Sequence, residues 1–185
     1  MEAHPIIPPE SLPRLTPAEY LALERDSETR HELVDGYLYA MTGGSDRHDE
    51  IAGNLFAALH AHLRGSGCRV HGSNLKVRVG DDFYYPDLFV RCAGERGEPY
   101  YKTDPVLIAE VLWPRTQRYD RGDKRLAYQS LPTLREYLLI SQDEPRVELL
   151  RRTDAGWEQA RVSAASAVLR LESVGLDLPL SELYA

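Results

Sequence analysis

The segment 106–113, VLIAEVLW, constrains the fold of this 185-residue chain more than any other feature of its sequence. Its apolar residues follow one another without alternation, which is typical of a central β-strand that is covered on both faces. Such a strand needs a further layer of structure on each side. The chain is long enough to form one domain with its own hydrophobic core, so the sequence predicts a layered domain rather than a small disulfide scaffold.

Three patterns predict the elements that precede this strand. Thr16-Pro17-Ala18-Glu19 is a capping box with proline at the first helical position, and it opens the first helix. Asp35-Gly36 lies between two apolar stretches and predicts a two-residue hairpin turn, which would place Glu32 opposite Tyr39. Leucine and isoleucine recur at helical spacing within 46–63 and predict an amphipathic helix.

The remaining elements indicate the fold class. The order of predicted elements is helix, hairpin, helix, three strands, helix, strand and hairpin, which is typical of an α/β or α+β domain with three layers. We assign this single domain to residues 16–185 and an irregular arm to residues 1–15, where four prolines disfavour helix and sheet. The later elements are predicted as strands over 75–79, 83–90, 106–113 and 137–140, a helix over 120–130, and a hairpin from 147–151 and 157–162.

Composition and charge exclude several classes of protein. The chain has no 18-residue apolar run, and its first residues lack the basic start and apolar core of a secretory signal, so we expect a soluble cytoplasmic protein. Cys68 and Cys92 have neither CxxC spacing nor a histidine at zinc-finger spacing, and we expect two small buried residues. The formal net charge of −7 requires any contact with nucleic acid to be local.

Two acidic residues interrupt the predicted strands. Glu110 lies inside the apolar segment 106–113, and a buried carboxylate is costly unless it is paired, hydrogen-bonded or bound to a metal. Asp87 follows Pro86 inside a hydrophobic stretch. On adjacent strands the two carboxylates could converge on one point, where oxygen ligands of this kind suit Mg²⁺. The alternative is that the acids are unrelated and that arginines or backbone groups satisfy each of them.

The Pro-Asp pair, followed by an acid in the next apolar strand, resembles the PD-(D/E)XK nuclease superfamily. Four further stretches closely resemble the Uma-type family of restriction endonucleases, over roughly residues 16–180: ELVDG (32–36), EVLWPRT (110–116), YDRGDK (119–124) and REY (135–137). The resemblance implies a restriction-endonuclease-like core, with a central mixed β-sheet flanked by helices and an N-terminal β-hairpin. It also implies Asp87 and Glu110 as ligands of Mg²⁺ or Mn²⁺, with Glu32 as a further acidic residue of the site.

One position departs from the superfamily pattern, because Leu112 stands where the motif lysine is expected, two residues after Glu110. Glu110 and Leu112 point to the same face of their strand, so a cation must arrive from elsewhere. The family resemblance implies that the following helix supplies it, and here that helix offers Lys124. Lys124 would activate the attacking water or neutralise the transition-state phosphate. The alternative is a solvated helix lysine that pairs with Asp120.

A local basic stretch follows the apolar strand and offers Arg115, Arg118 and Arg121 for contact with phosphate groups. Arginine binds phosphate through two parallel hydrogen bonds, so this stretch could hold nucleic acid despite the acidic net charge. The alternative is an ordinary solvated helix face. His48, near the start of the second predicted helix, is a further candidate for the site.

These features favour a Mg²⁺-dependent endonuclease that hydrolyses phosphodiester bonds of nucleic acid, with DNA the expected substrate. We expect a homodimer, because a small nuclease that cuts a duplex must present two sites or bind twice. A second hypothesis, favoured by Leu112, is a catalytically inactive nuclease-like module that binds nucleic acid or a protein. A third is a purely structural homo-oligomer.

Overall fold

A computed structural model describes residues 14–41, 43–92, 97–113, 117–164 and 166–185, with 117 and 118 described by their backbone only. Most of the predicted arm, 1–15, lies outside these ranges. In chain order the elements are α1 (Pro17–Asp26), β1 (His31–Val34), β2 (Tyr37–Ala40), α2 (Asp46–His62), β3 (Cys68–Gly72), β4 (Lys76–Val79), β5 (Asp82–Tyr84), β6 (Leu88–Cys92), β7 (Tyr101–Lys102), β8 (Leu107–Leu112), α3 (Gln117–Arg121), α4 (Asp123–Gln129), β9 (Glu136–Ser141), β10 (Arg146–Thr153), β11 (Gly156–Ser163), β12 (Val168–Leu171), β13 (Leu176–Pro179) and α5 (Leu180–Leu183).

Two sheets dominate the described part of the chain. The larger has six strands in the order β11-β10-β9-β8-β6-β3, in which β8 and β9 are parallel and the other neighbours are antiparallel. The smaller has five strands in the order β2-β1-β5-β4-β7. The predicted mixed α+β architecture, with a mixed sheet, is therefore confirmed, and β8 lies inside the larger sheet as the apolar segment 106–113 predicts.

The two faces of β8 explain why its sequence is continuously apolar. Leu107, Ala109 and Val111 pack into a core with α2, α5 and the β12–β13 hairpin. Ile108 and Leu112 pack on the opposite face, in a core formed with α4 and the five-stranded sheet. All six residues of β8 are buried, because a layer covers each face. Glu110 points to the second of these faces.

The N-terminal elements agree with their sequence signals. The Thr16 side chain accepts a hydrogen bond from the Glu19 N–H, and the Glu19 carboxylate accepts one from the Thr16 N–H, which is the predicted capping box. Asp35 and Gly36 adopt φ values of 52° and 82°, as the hairpin turn requires. Glu32 lies opposite Tyr39, also as predicted. The hairpin is not a separate appendage, because β1 also pairs with β5 in the five-stranded sheet.

Two predicted elements are each split in two. The strand predicted over 83–90 is broken at Pro86, which has no N–H for a ladder hydrogen bond, and the chain crosses there from the smaller sheet into the larger one. The helix predicted over 120–130 is broken at Gly122 into α3 and α4, since glycine has low helix propensity. The short strands β3, β7, β12 and β13 are not predicted by the sequence.

The prediction of two separate buried cysteines is wrong. Cys68 and Cys92 are cross-strand partners in β3 and β6, and they form a disulfide. Their separation of 24 residues in sequence conceals this pairing, which the strand register creates. Disulfides are uncommon in the reducing cytosol, so the cytoplasmic location stays a prediction. Among the described residues, no helix has the length and apolar character to cross a bilayer.

Candidate active site

A buried lysine and two buried glutamates meet between the two sheets. Lys124 Nζ, from α4, lies 3.0 Å from Glu32 Oε1 on β1 and 2.9 Å from Glu110 Oε1 on β8. The three side chains expose only 6 to 10% of their surface. Residues that are distant in sequence therefore form one ionic cluster, inside the layer that separates the five-stranded sheet from the six-stranded sheet.

Lys124 reaches the cluster from the start of α4. The break at Gly122 makes Lys124 the second residue of this short helix rather than a residue well inside a longer one. Its nearest carboxylates are those of Glu110 and Glu32, whereas the Asp120 carboxylate is 4.0 Å away. Lys124 is buried, so it is not the solvated lysine of the alternative interpretation.

Glu32 and Glu110 are each held by further donors. The Tyr85 N–H donates to Glu32 Oε1 at 2.8 Å, immediately before the point where the chain leaves the smaller sheet. The Tyr128 hydroxyl, one helical turn after Lys124, donates to Glu110 Oε1 at 3.2 Å. These contacts fix both carboxylates toward the same ammonium group.

Asp87 lies beside Glu110, and the two residues exchange hydrogen bonds with each other's strand. The Asp87 N–H donates to Glu110 Oε2 at 3.3 Å, and the Val111 N–H donates to Asp87 Oδ2 at 2.7 Å. The antiparallel pairing of Leu88 with Ala109 produces this exchange. The two acids that the sequence singles out are thus neighbours at one end of β6. Their roles as metal ligands stay predictions.

Several carboxylates lie close together in the described part of this cluster. Glu32 and Glu110 contact the Lys124 ammonium, Asp120 lies 4.0 Å from it, and Asp87 lies beside Glu110. Burial raises the pKa of Glu110 well above its ordinary value; Lys124 opposes this rise, and the charges of Asp87, Asp120 and Glu32 add to it. Burial works against the charge of Lys124, but Glu110 and Glu32 outweigh it and hold the pKa of Lys124 well above its ordinary value. Lys124 is therefore a cation at neutral pH.

A histidine contacts this acidic cluster from α2. His48 Nε2 lies 3.1 Å from Asp87 Oδ2, and the two side chains are 17% and 18% exposed. Burial lowers the pKa of His48, yet the hydrogen bond and the charge of Asp87, with that of Asp49, outweigh burial and raise the pKa. The sequence offers His48 only by its position near the helix start. Tyr128 is missed, although its spacing of four residues from Lys124 places both on one helix face.

The arginines proposed for phosphate contact are only partly described. Arg115 and the side chain of Arg118 lie outside the described residues. The Arg121 guanidinium donates to Glu148 Oε1 on β10 at 2.7 Å. A role for these three residues in binding nucleic acid stays a prediction.

The donor chemistry of the site suits a hard divalent cation. Asp87 and Glu110 supply carboxylate oxygens, and Mg²⁺ is usually bound by one or two carboxylates while it keeps several waters. The negative charges of Asp87 and Glu32, which act on Glu110, also favour a cation beside it. Among the described residues, no three histidine, cysteine, aspartate or glutamate side chains are spaced to enclose a metal ion. The residues therefore fit a metal held by two carboxylates and water.

Two known proteins are similar to this chain over most of its length. A relative from Synechocystis sp. (strain ATCC 27184 / PCC 6803 / Kazusa), named "Uncharacterized protein slr1290", is 36% identical over 96% of this chain and 95% of the relative. A second from the same organism, "Uncharacterized protein sll1609", is 30% identical over 77% of this chain and 84% of the relative.

The fold is also found in a solved structure. A crystal structure from Anabaena variabilis ATCC 29413, described as "a putative nuclease belonging to DUF820", matches with a TM-score of 0.76 and 20% identity. The match covers 92% of this chain and 97% of that chain. The model of the Uma2 family, described as "Putative restriction endonuclease", matches residues 17–181. This match spans nearly the whole chain, and the protein therefore belongs to the Uma2 family.

Proposed function

We propose that this protein is a metal-dependent endonuclease that hydrolyses phosphodiester bonds of DNA. Membership of the Uma2 family supports a nuclease, and the site supports hydrolysis assisted by a metal. One observation carries the proposal: Lys124 lies buried between Glu32 and Glu110. There it would take the place of the lysine that is missing at Leu112. The side chain of Leu112 packs into the apolar core on the same face of β8.

In the proposed mechanism Asp87 and Glu110 would hold Mg²⁺ or Mn²⁺. When bound, such a metal polarises the scissile phosphate and lowers the pKa of an attacking water. Glu110 is fixed for this role by the Tyr128 hydroxyl and the Asp87 N–H. Asp87 is fixed by the Val111 N–H. No rearrangement of the backbone is needed to present the two carboxylates together.

Lys124 acts as a charge stabiliser in this mechanism. Its raised pKa favours the ammonium form, which cannot accept a proton from water but can neutralise negative charge that develops on the phosphate. Glu32 holds the ammonium in place from the opposite side. Charge development on the phosphate is the step at which this lysine contributes.

A cleavage assay tests the proposal directly. Wild-type protein should convert supercoiled plasmid to nicked or linear DNA with Mg²⁺ or Mn²⁺ and not with EDTA. Asp87→Asn and Glu110→Gln should each abolish cleavage, and His60→Gln, an exposed position on α2, is the control. Binding of DNA without cleavage under all conditions would favour the inactive binding module. Cleavage of an RNA duplex but not of DNA would correct the substrate.

We further propose a twofold homodimer. Two active sites can cut the two strands of a duplex, and the twofold dimer is the commonest symmetric oligomer. Strand β2 is an edge of the five-stranded sheet, and its Tyr37 and Tyr39 are partly exposed, so the hairpin offers a surface for the contact. Light scattering at micromolar concentration should give twice the mass of the chain, which is 21.0 kDa. A mass of one chain would contradict the dimer. The nuclease activity would then have to come from a monomer that binds the duplex twice.

A further inference from the structure

His48 contacts the candidate site from an element that carries none of its carboxylates. Its ring is fixed at the start of α2, where the Ser45 side chain accepts a hydrogen bond from the His48 N–H at 3.1 Å. A Cβ atom added to Gly44 would lie 2.9 Å from His48 Cγ and Nδ1, so the imidazole packs directly against the glycine backbone. A larger residue at 44 would displace the ring.

The start of α2 is also tied to the strand of Glu110. Ser45 Oγ donates to Gln142 Oε1 at 2.9 Å, and Gln142 Nε2 donates to the Leu112 carbonyl at the end of β8 at 2.9 Å. This chain of hydrogen bonds fixes the distance between the helix start and β8. The imidazole therefore meets the Asp87 side chain in a framework that is rigid on both sides.

The contact acts on one oxygen of the Asp87 carboxylate. Asp87 Oδ2 lies 3.1 Å from His48 Nε2 and also accepts the Val111 N–H at 2.7 Å. No hydrogen bond from a described residue falls on Asp87 Oδ1. The two donors therefore hold the carboxylate in one rotamer and leave Oδ1 as the oxygen available to a cation.

We infer that His48 is the positioning residue of the metal site: its Nε2–H fixes the Asp87 carboxylate so that Oδ1 faces the cation. The inference rests on the proposed function, because it assumes that Asp87 binds a metal. His48 is not assigned as a ligand, since no three candidate ligands among the described residues are spaced to enclose an ion. Groups that orient a metal ligand from behind typically change metal affinity about 10- to 100-fold when removed.

Titration of the full chain with Mn²⁺ by calorimetry tests this role. His48→Leu keeps an apolar side chain of some bulk but has no donor, and we expect its Mn²⁺ affinity to fall about 10- to 100-fold. His48→Gln should restore most of the affinity, because its amide nitrogen reaches about as far as Nε2. His48→Asn, whose amide nitrogen stops near the position of Nδ1, should not. His60→Leu on the exposed side of α2 is the matched control.

The outcomes separate this inference from the proposed function. If wild type binds Mn²⁺, Asp87→Asn does not, and His48→Leu binds as wild type does, the positioning role is wrong and the metal site stands. If wild type binds no Mn²⁺, both the metal site and the role of His48 are overturned. Thermal unfolding of each variant controls for folding. If His48→Leu does not fold, the Mn²⁺ affinities of His48→Gln and His48→Asn decide. The positioning role requires a higher affinity for the glutamine variant, because only its amide nitrogen reaches the place of Nε2. Equal affinities would mean that His48 acts through packing alone.

Discussion

Glu110 and Glu136 lie on the neighbouring parallel strands β8 and β9, and both are buried, yet their surroundings are opposite. Glu136 accepts hydrogen bonds from the backbone N–H groups of Glu172 and Ser173, from the Ser173 hydroxyl and from the Arg151 guanidinium. Glu110 also has donors, the Tyr128 hydroxyl and the Asp87 N–H, and it shares Lys124 with Glu32. The two carboxylates differ in the acids around them: the second carboxylate on Arg151, that of Glu172, is 58% exposed, whereas the charges of Asp87, Asp120 and Glu32 all act on the buried Glu110.

The difference separates a structural carboxylate from a functional one. A buried carboxylate is tolerated when hydrogen bonds and a counter-charge replace its hydration, as they do at Glu136. Such a group gains little from a further cation. Glu110 would gain from one, because its pKa is raised by burial and by neighbouring carboxylates even though Lys124 is in contact. Burial and residue type are the same at both positions, so the balance of donors and charges identifies the site.

Outside the two proposed metal ligands, the largest effect is expected at Lys124. Lys124→Met should lower the cleavage rate about 10²- to 10⁴-fold, because the ammonium that stabilises the phosphate charge is lost. Metal binding should persist or strengthen, since Glu110 and Glu32 then lack their internal cation. Rate measurements at saturating Mg²⁺, with Mn²⁺ titration as the control, check this result. Cleavage at the wild-type rate would remove Lys124 from the mechanism.

Substitution of Glu136 should change the stability of the fold rather than the cleavage rate. Glu136→Gln replaces an acceptor oxygen with an amide group that faces N–H donors, and breaking a buried ion pair costs about 3 to 5 kcal/mol. We expect a decrease of that size in the free energy of unfolding, measured with urea. Glu172→Gln is the matched control: Glu172 contacts the same Arg151 but is 58% exposed, so its loss should cost at most about 1 kcal/mol. If both variants lost the same free energy of unfolding, the proposed structural role of Glu136 would be wrong.

Glu110→Gln should cost less stability than Glu136→Gln. The variant removes one of the two carboxylates that contact Lys124, but Glu32 still pairs with the ammonium and the repulsion from Asp87 and Asp120 is relieved, so the free energy of unfolding should decrease by less than it does in Glu136→Gln. Binding of Mn²⁺ should be lost in the same variant. Urea unfolding and calorimetry on one preparation measure both quantities. A loss of stability as large as that of Glu136→Gln would assign Glu110 a structural role.

The sequence predicts some features of the surroundings of Glu110 and Glu136 but not others. Glu110 is visible because a charge inside VLIAEVLW is conspicuous, and the β1–β2 turn is visible because Asp35-Gly36 is a local signal. The meeting of Glu32 and Glu110 at Lys124 depends on how the two sheets stack, which no local pattern encodes. The saturation of Glu136 depends on residues 172 and 173, which follow the short strand β12. Long-range packing therefore determines which buried acid has further negative charges beside it.

A third buried group, on another part of the larger sheet, tests how general the comparison is. Within the described residues His71 Nε2 is buried and has no hydrogen-bond partner, and its ring stacks on Phe89 with centroids 4.9 Å apart. Burial lowers the pKa of His71, and the positive charges of Arg91, Lys102 and Arg69 lower it further. The positive charges near His71 would repel a metal ion. The unpartnered nitrogen therefore only lowers the free energy of unfolding.

The sign of that cost follows from the lowered pKa. The folded state holds His71 neutral where the unfolded state takes up a proton, so His71 contributes its stability above the unfolded pKa of about 6.5 and loses it as pH falls toward the folded value. His71→Phe should therefore flatten the fall in unfolding free energy below pH 6.5, by at most about 1.4 kcal/mol for each pH unit. Urea unfolding of both proteins between pH 5 and 7.5 measures the difference in slope. Parallel slopes would mean that His71 takes up its proton equally in the folded and unfolded states. The lack of a hydrogen-bond partner would then not indicate an unfavourable charge balance at His71.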